Sequence, residues 1–310
     1  MANGLNAPQF QDADKAREYL EGQVWPTGPI CPHCGVIGKH WALEGKSTRP
    51  GLYKCTDCRE PFTVTVGTVF ERSKIPLHKW LLAVYLLCSS KKGMSSHQLH
   101  RMLGVTYKTA WFMSHRLREA MKSSGGLLGG SGKIVEADET YFGIAKPKAR
   151  HSRSGAHKHK IFALVERDGT TRAFHVANID GATLKPILHA QVAADTHFMT
   201  DSASHWRNMK RGQFLSHEMV NHKRNQYAKK SRAVKGEVAH TNTIESFFGL
   251  LKRGLVGTYH HVSEAHLQRY CTEFDFRFTH RKATDAERAD AALKGIFGKR
   301  LMYNQPHNEA

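Results

Sequence analysis

The chain lacks an apolar run long enough to cross a bilayer. Its longest, at residues 80–88, has nine residues, against the roughly 20 that a membrane-spanning helix needs. The first twenty residues, MANGLNAPQFQDADKAREYL, lack a charged stretch leading into an apolar one, so no secretory signal is expected there. Both absences point to a soluble, cytoplasmic protein with no membrane partner. Acid is also scarce, with 27 Asp+Glu against 46 Lys+Arg and a net charge of +19. A field of that sign attracts polyanions, and nucleic acid is the commonest of them. Apolar residues are not scarce. At 40% they suffice for a core and exclude global disorder.

Cysteine is sparse, at six residues, but four of them form two tight pairs, Cys31/Cys34 and Cys55/Cys58. In a reducing compartment such pairs mean metal rather than disulfides. Two thiolates three residues apart on a tight turn grip one ion, and two such turns complete a closed tetrahedral site. One structural zinc ion is therefore expected, supplying folding energy to a segment with little core of its own. His33 lies inside the first knuckle but is not needed as a ligand. Cys88 and Cys271 stand in apolar surroundings and read as inert buried thiols.

With 310 residues the chain has room for two domains, or for one catalytic domain with accessory modules. Its composition divides into a polar lead-in (1–24), a cysteine-bearing segment (25–70), a helical segment (71–122), a glycine- and serine-rich linker SSGGLLGGSG (123–132), a mixed strand and helix segment (133–283) and a C-terminal tail (284–310) that ends frayed. Two runs, 144–160 and 222–235, each carry six Lys/Arg and no acid. They read as solvated loops or as phosphate contacts.

In the helical segment, residues 77–90 read as one buried helix. Ser95 or Ser96 caps a short helix carrying Leu99, Met102 and Leu103, Gly104-Val105 turns, and Thr106 caps a second helix with Ala110, Met113, Leu117 and Met121 inward. This is the pattern of a helix-turn-helix. On the second helix Tyr107, Lys108, Trp111, His115 and Arg118 are expected to face outward, where they could meet a DNA groove and its phosphates.

Three acids stand out after the linker. Asp138 lies in a strand at 134–142, with Glu136 on the same face. Two acids on a largely buried strand are costly unless paired or metal-bound. Asp201 falls at the end of a short strand containing Phe198 and Met199. Glu245 lies on a helix whose apolar face is Ile244, Phe247, Phe248 and Leu251, and whose polar stripe is Asn242, Glu245, Gly249 and Lys252. Such carboxylates are the hard ligands that Mg²⁺ prefers, and phosphodiester chemistry asks mainly for the placement of divalent ions.

These motifs, taken in order, resemble the zinc-ribbon-containing, ISXO-like branch of bacterial insertion-sequence DDE transposases. The matching residues are Cys31-Pro-His-Cys34, Cys55-Thr-Asp-Cys58, the run from Gly104 through Arg118, Glu136-Ala-Asp-Glu-Thr-Tyr-Phe-Gly143, Thr200-Asp201, and Asn242-Thr-Ile-Glu245 with Lys252-Arg253. Tyr259-His-His-Val-Ser263 and Glu273-Phe-Asp-Phe-Arg277 belong to the same likeness, which covers roughly residues 15–283. It implies an α/β, ribonuclease-H-like catalytic domain behind a zinc ribbon and a helix-turn-helix module. It implies cleavage at element ends and strand transfer into target DNA, supported by two Mg²⁺ or Mn²⁺ ions on Asp138, Asp201 and Glu245. Asn242 is the alternative to Glu245 as third ligand, and Glu245 is favoured because a carboxylate binds cations better than an amide does. Lys252 takes the family's basic position, and with Arg253 it would touch phosphate. The implied partners are double-stranded DNA, as terminal inverted repeats and as target, and further copies of the chain in a homo-oligomer on that DNA.

Overall fold

The structure is a computed structural model, and it describes residues 4–123, 125–145, 155, 157–207 and 213–302. The chain forms two compact units, one of residues 1–122 with 282–310, the other of residues 123–281.

The first unit opens with helix α1 (Ala13–Val24), whose N-cap Asp12 accepts from the backbone N–H groups of Asp14 and Lys15 and whose Ala16 and Leu20 turn inward. A small antiparallel sheet follows, of β1 (His40–Ala42), β2 (Tyr53–Cys55) and β3 (Pro61–Phe62). Trp25 packs edge-on against Tyr53 and Phe62, an aromatic core too small to stand alone. Helix α2 (Leu77–Ser89) buries seven side chains, among them Trp80, Leu87 and Cys88. Ser95 caps α3 (Ser96–Leu103), Gly104 turns in the left-handed region at φ 59°, and Thr106 caps α4 (Tyr107–Ala120).

The outward face expected for α4 holds only over its first turns. Tyr107 and Lys108 are exposed and Trp111 is half-buried, but every residue from 113 to 120 is buried. His115 and Arg118 are therefore interior, at 0% and 1% exposure, which corrects their expected place on a DNA-facing surface. The C-terminal half of this helix is enclosed on all sides, so period 3.6 alone misassigns two of its residues. The guanidinium of Arg118 donates to Ser114 Oγ. The neighbouring Arg116 donates to the carbonyls of Glu71 and Leu301.

The C-terminal stretch is also more than a tail. It forms helix α9 (Asp285–Lys294), opened by a reciprocal capping box between Thr284 and Glu287. In the same unit, Asp290 of α9 accepts a 2.5 Å hydrogen bond from Tyr19 of α1. The last residues, NQPHNEA, lie outside the described residues.

The second unit is a five-stranded mixed sheet with helices on both faces. Its elements are β4 (Ile134–Phe142), β5 (His159–Glu166), β6 (Thr171–Val176), α5 (Gly181–Gln191), β7 (His197–Asp201), the short α6 (Ser204–Arg207), β8 (Ser216–Val220), a hairpin of β9 (Ala228–Lys230) and β10 (Val238–His240), then α7 (Asn242–Gly254) and α8 (Glu264–Thr279). The sheet runs β6-β5-β4-β7-β8. β4, β5 and β6 pair antiparallel, while β7 and β8 join parallel to β4. This α/β arrangement fits the ribonuclease-H-like expectation. Strand β5 shows why both faces are covered. Ile161, Ala163 and Val165 alternate into a core with Phe247 and Leu251 of α7 and Phe274 of α8. Phe162 and Leu164 enter the opposite core, with Leu184 and Leu188 of α5, Phe198 and Trp206.

The glycine-rich stretch is part of this unit rather than a free linker over most of its length. Leu128 is buried, its N–H bonded to the Gln191 carbonyl, and Gly129 N–H donates to Glu166 Oε2 at 2.8 Å. Gly129 has φ 77°, and a Cβ there would come within 2.1 Å of Thr196 Oγ1. Only glycine fits that contact.

Candidate active site

Asp138 sits midway along β4, paired across β5 with Ala163, so it faces the side on which α7 packs. Parallel pairing sets β7 against β4 with Ala137 opposite Thr200. One residue further on each strand are Asp138 and Asp201, so the two carboxylates lie level on adjacent strands and on one face. The first is half-buried along β4 and the second closes β7.

Glu245 arrives on α7, and Glu136 is what holds that helix. Its carboxylate is 0% exposed. It accepts from the N–H groups of Thr243 and Ile244 at 2.9 and 3.0 Å and from Thr243 Oγ1 at 2.9 Å. The N-cap residue Thr241 makes no side-chain cap of its own. A strand carboxylate thus caps a helix distant in sequence, where orphan N–H groups and the helix dipole favour negative charge. Arg167 pairs with Glu136 at 2.7 Å and donates on to the carbonyls of Val238 and His240. Sequence reading set Glu136 on the face of Asp138 but missed both its partner Arg167 and its capping role. No sequence spacing signals a cap made across the fold.

Asp138 senses the other acids. Burial pushes the Asp138 carboxyl up to about 8, and the charges of Glu139, Asp201 and Glu245 push the same way. Among the described residues neither Asp138 nor Asp201 makes an ion pair with Lys or Arg. Asp138 Oδ1 accepts only the N–H of Glu139, and Asp201 Oδ1 that of Ala203. Glu245 is exposed, with Thr241 Oγ1 donating to it at 3.1 Å and His222 Nε2 lying 3.7 Å away, too far for a hydrogen bond. Two carboxylates, Asp138 and Asp201, level on adjacent strands with no Lys or Arg pair among the described residues, are what a divalent cation relieves. Asn242, Lys252 and Arg253 are exposed on the same helix, with Lys252 two turns beyond Glu245.

The basic run at 222–235 includes β9 and exposes Lys223, Arg224, Lys230 and Lys235. Of the other run, residues 146–154 and 156 lie outside the described residues.

In the first unit, Cys31 and Cys58 sulfurs are 3.6 Å apart, as are those of Cys34 and Cys55, and all four lie within 4.8 Å of one another. Zinc–sulfur bonds of about 2.3 Å around a tetrahedron give edges of roughly 3.8 Å. The thiols therefore already stand at zinc-ligand spacing, whereas His33 is exposed.

A family model described as the ISXO2-like transposase domain matches residues 127–279, and one described as the transposase zinc-ribbon domain matches residues 11–60. The chain belongs to this transposase family. The thiolate pairs of the family likeness lie in one matched span and the acids in the other, while the run from Gly104 through Arg118 lies in neither. A protein of Halobacterium salinarum, named as an uncharacterized protein in transposable element ISH50, is 28% identical over 290 residues, covering 86% of this chain and 91% of its own length. Among solved structures, the Drosophila P element transposase strand transfer complex is similar at a TM-score of 0.28 and 11% identity, over 64% of this chain. This chain spans just over half, 55%, of that transposase, and a likeness so weak bears no weight for the fold. No described helix is long and apolar enough to cross a membrane.

Proposed function

We propose that this protein is the transposase of an insertion sequence, cutting the element's ends and joining them to target DNA. One observation carries the reading: Asp138 and Asp201 stand level on adjacent strands, beneath a helix whose N-terminus Glu136 ties to the same strand. Asp138, Asp201 and Glu245 hold two Mg²⁺ or Mn²⁺ ions, with Asn242 beside them as an alternative third ligand. Ions held there would supply the positive charge that phosphodiester displacement needs. Glu136 and Arg167 keep α7 in register so that Glu245 can reach the ions. Lys252 and Arg253, farther along α7, hold backbone phosphate. The α3–α4 pair acts as a helix-turn-helix on the terminal repeats through Lys108 and Trp111, on the open first turns of α4. The chain works on double-stranded DNA as a homo-oligomer that pairs the two ends, and its zinc ribbon is structural.

The test uses the purified chain with DNA carrying the element's own ends, in Mn²⁺. Strand nicking and the joining of pre-cut ends should fall at least about 10³-fold in Asp138→Asn, Asp201→Asn and Glu245→Gln, because each removes a ligand worth several kcal/mol of transition-state stabilisation. Cutting that survives all three changes would remove the assigned site. Cutting without any joining would leave a nuclease in place of a transposase.

A further inference from the structure

A second group of metal-ligand side chains lies outside the acid site, where the edge of the main sheet meets the start of α8. On β5, His159 is two residues from Ile161, whose partner across the ladder is His175 of β6. The two imidazoles are therefore diagonal neighbours on one face, and their ring centres are 5.3 Å apart. This is the face that α8 covers. Gln268 of α8 clamps the helix to the edge strand from both sides, accepting from the His175 N–H at 2.7 Å and donating to the Ala173 carbonyl at 2.9 Å. Glu264 lies one turn before Gln268, on the same side of the helix, which brings its carboxylate over the histidines. One ligand atom from each of His159, His175 and Glu264 lies within 4.8 Å of the other two.

The histidine on β5 adds an independent observation. His159 is only 7% exposed, and its buried Nδ1 has no hydrogen-bond partner. A buried polar nitrogen left unsatisfied is costly, and metal ligation through Nδ1 would remove that cost. Asp138 pairs with Ala163, four residues along β5 from His159, which is about 13 Å, so the cluster is separate from the acids.

We propose that His159, His175 and Glu264 bind a second transition-metal ion of the zinc class, which fastens the N-terminus of α8 to the β5–β6 edge. Two imidazoles and one carboxylate suit Zn²⁺ or Co²⁺ far better than Mg²⁺. Unlike the four-thiolate site, three protein ligands leave a coordination position open to water or another small ligand.

The test is metal counting on the full chain, loaded with Co²⁺ and dialysed in excess Mg²⁺ to fill the acid site. Wild type should retain two Co²⁺ per chain, one with the absorption of thiolate ligation and one without it. His175→Ala and Glu264→Gln should each retain one, with the thiolate absorption unchanged. Glu264 is exposed and its replacement keeps the side-chain shape, so loss in that variant is not a folding failure, and circular dichroism checks both. Wild type retaining one Co²⁺ would overturn the proposal, and so would two ions persisting in both variants.

Discussion

The four thiolates of the first unit and the three acids of the second are both clusters of groups that repel when ionised, yet they are assembled in opposite ways. The thiolates come from two short turns, each closing within four residues, around a core of little more than Trp25, Tyr53 and Phe62. Asp138 comes from the middle of one strand, Asp201 from the end of its neighbour and Glu245 from a helix, each placed by a sheet with hydrophobic cores on both faces. In the first unit a metal would hold the fold together; in the second the fold alone places the acids. The difference teaches that like ligand clusters can have opposite energetic roles, and that the surrounding core decides which.

The sharpest way to break this comparison is to remove each metal. Stripping zinc, by chelation or by Cys34→Ser, should unfold the ribbon, since structural zinc supplies an apparent free energy on the order of 10 kcal/mol. Limited proteolysis would then cut within residues 25–70 while the second unit stays resistant. Equal protection with and without chelator would show a ribbon that stands alone. Chelating Mg²⁺, by contrast, should leave the second unit folded.

Glu136 tests whether the acid site depends on long-range packing. Glu136→Ala leaves Arg167 with only the more exposed Glu237 as an acidic partner and leaves two helix N–H groups uncapped. A loss of about 3–4 kcal/mol is expected by chemical denaturation. A change below about 1 kcal/mol would mean that α7 is held in another way.

A smaller effect comes from pH. Burial lowers the His217 pKa from 6.5 to about 4, and this histidine sits 2.9 Å from Thr200 Oγ1, next to Asp201. A base depressed in the folded state contributes stability that is complete above pH 6.5 and is lost as pH falls through about 4. The second unit should lose up to about 3 kcal/mol over that window. His217→Gln should flatten this part of the slope, whereas a ribbon that releases zinc in acid would be unaffected by the change. An unaltered slope in the second unit would take His217 out of the account.

The smallest effect is electrostatic. Lys252 is exposed on α7, and Lys252→Ala should lower the slope of log K against log salt for DNA by about 1. Binding titrations at several salt concentrations read it directly, and an unchanged slope would remove the phosphate contact.

Local features were legible without the structure because their causes are local. The cysteine spacing, the strand at 134–142, a serine cap at 95 or 96, the Thr106 cap, the turn at Gly104 and the polar stripe of α7 each depend on residues a few positions apart. The opposite holds for His115 and Arg118. Helical period predicted a surface for them, but enclosure by other elements of the fold, which no local period records, buried them. The same is true of Gly129, whose place depends on Thr196, and of residues 285–294, which read as part of a tail and form α9.

By itself, then, the sequence determined which residue types could hold metal, where the main helices and strands begin, and a charge that favours a polyanionic partner, since these follow from composition and short-range backbone preference. Only the tertiary structure decided that Asp201 lies level with Asp138, because the register of two parallel strands is set by the cores on both sides of the sheet. It also decided that Glu136 caps α7 and that His159, His175 and Glu264 meet at the sheet edge. Such contacts join distant residues, and their energy exists only once the hydrophobic faces have closed.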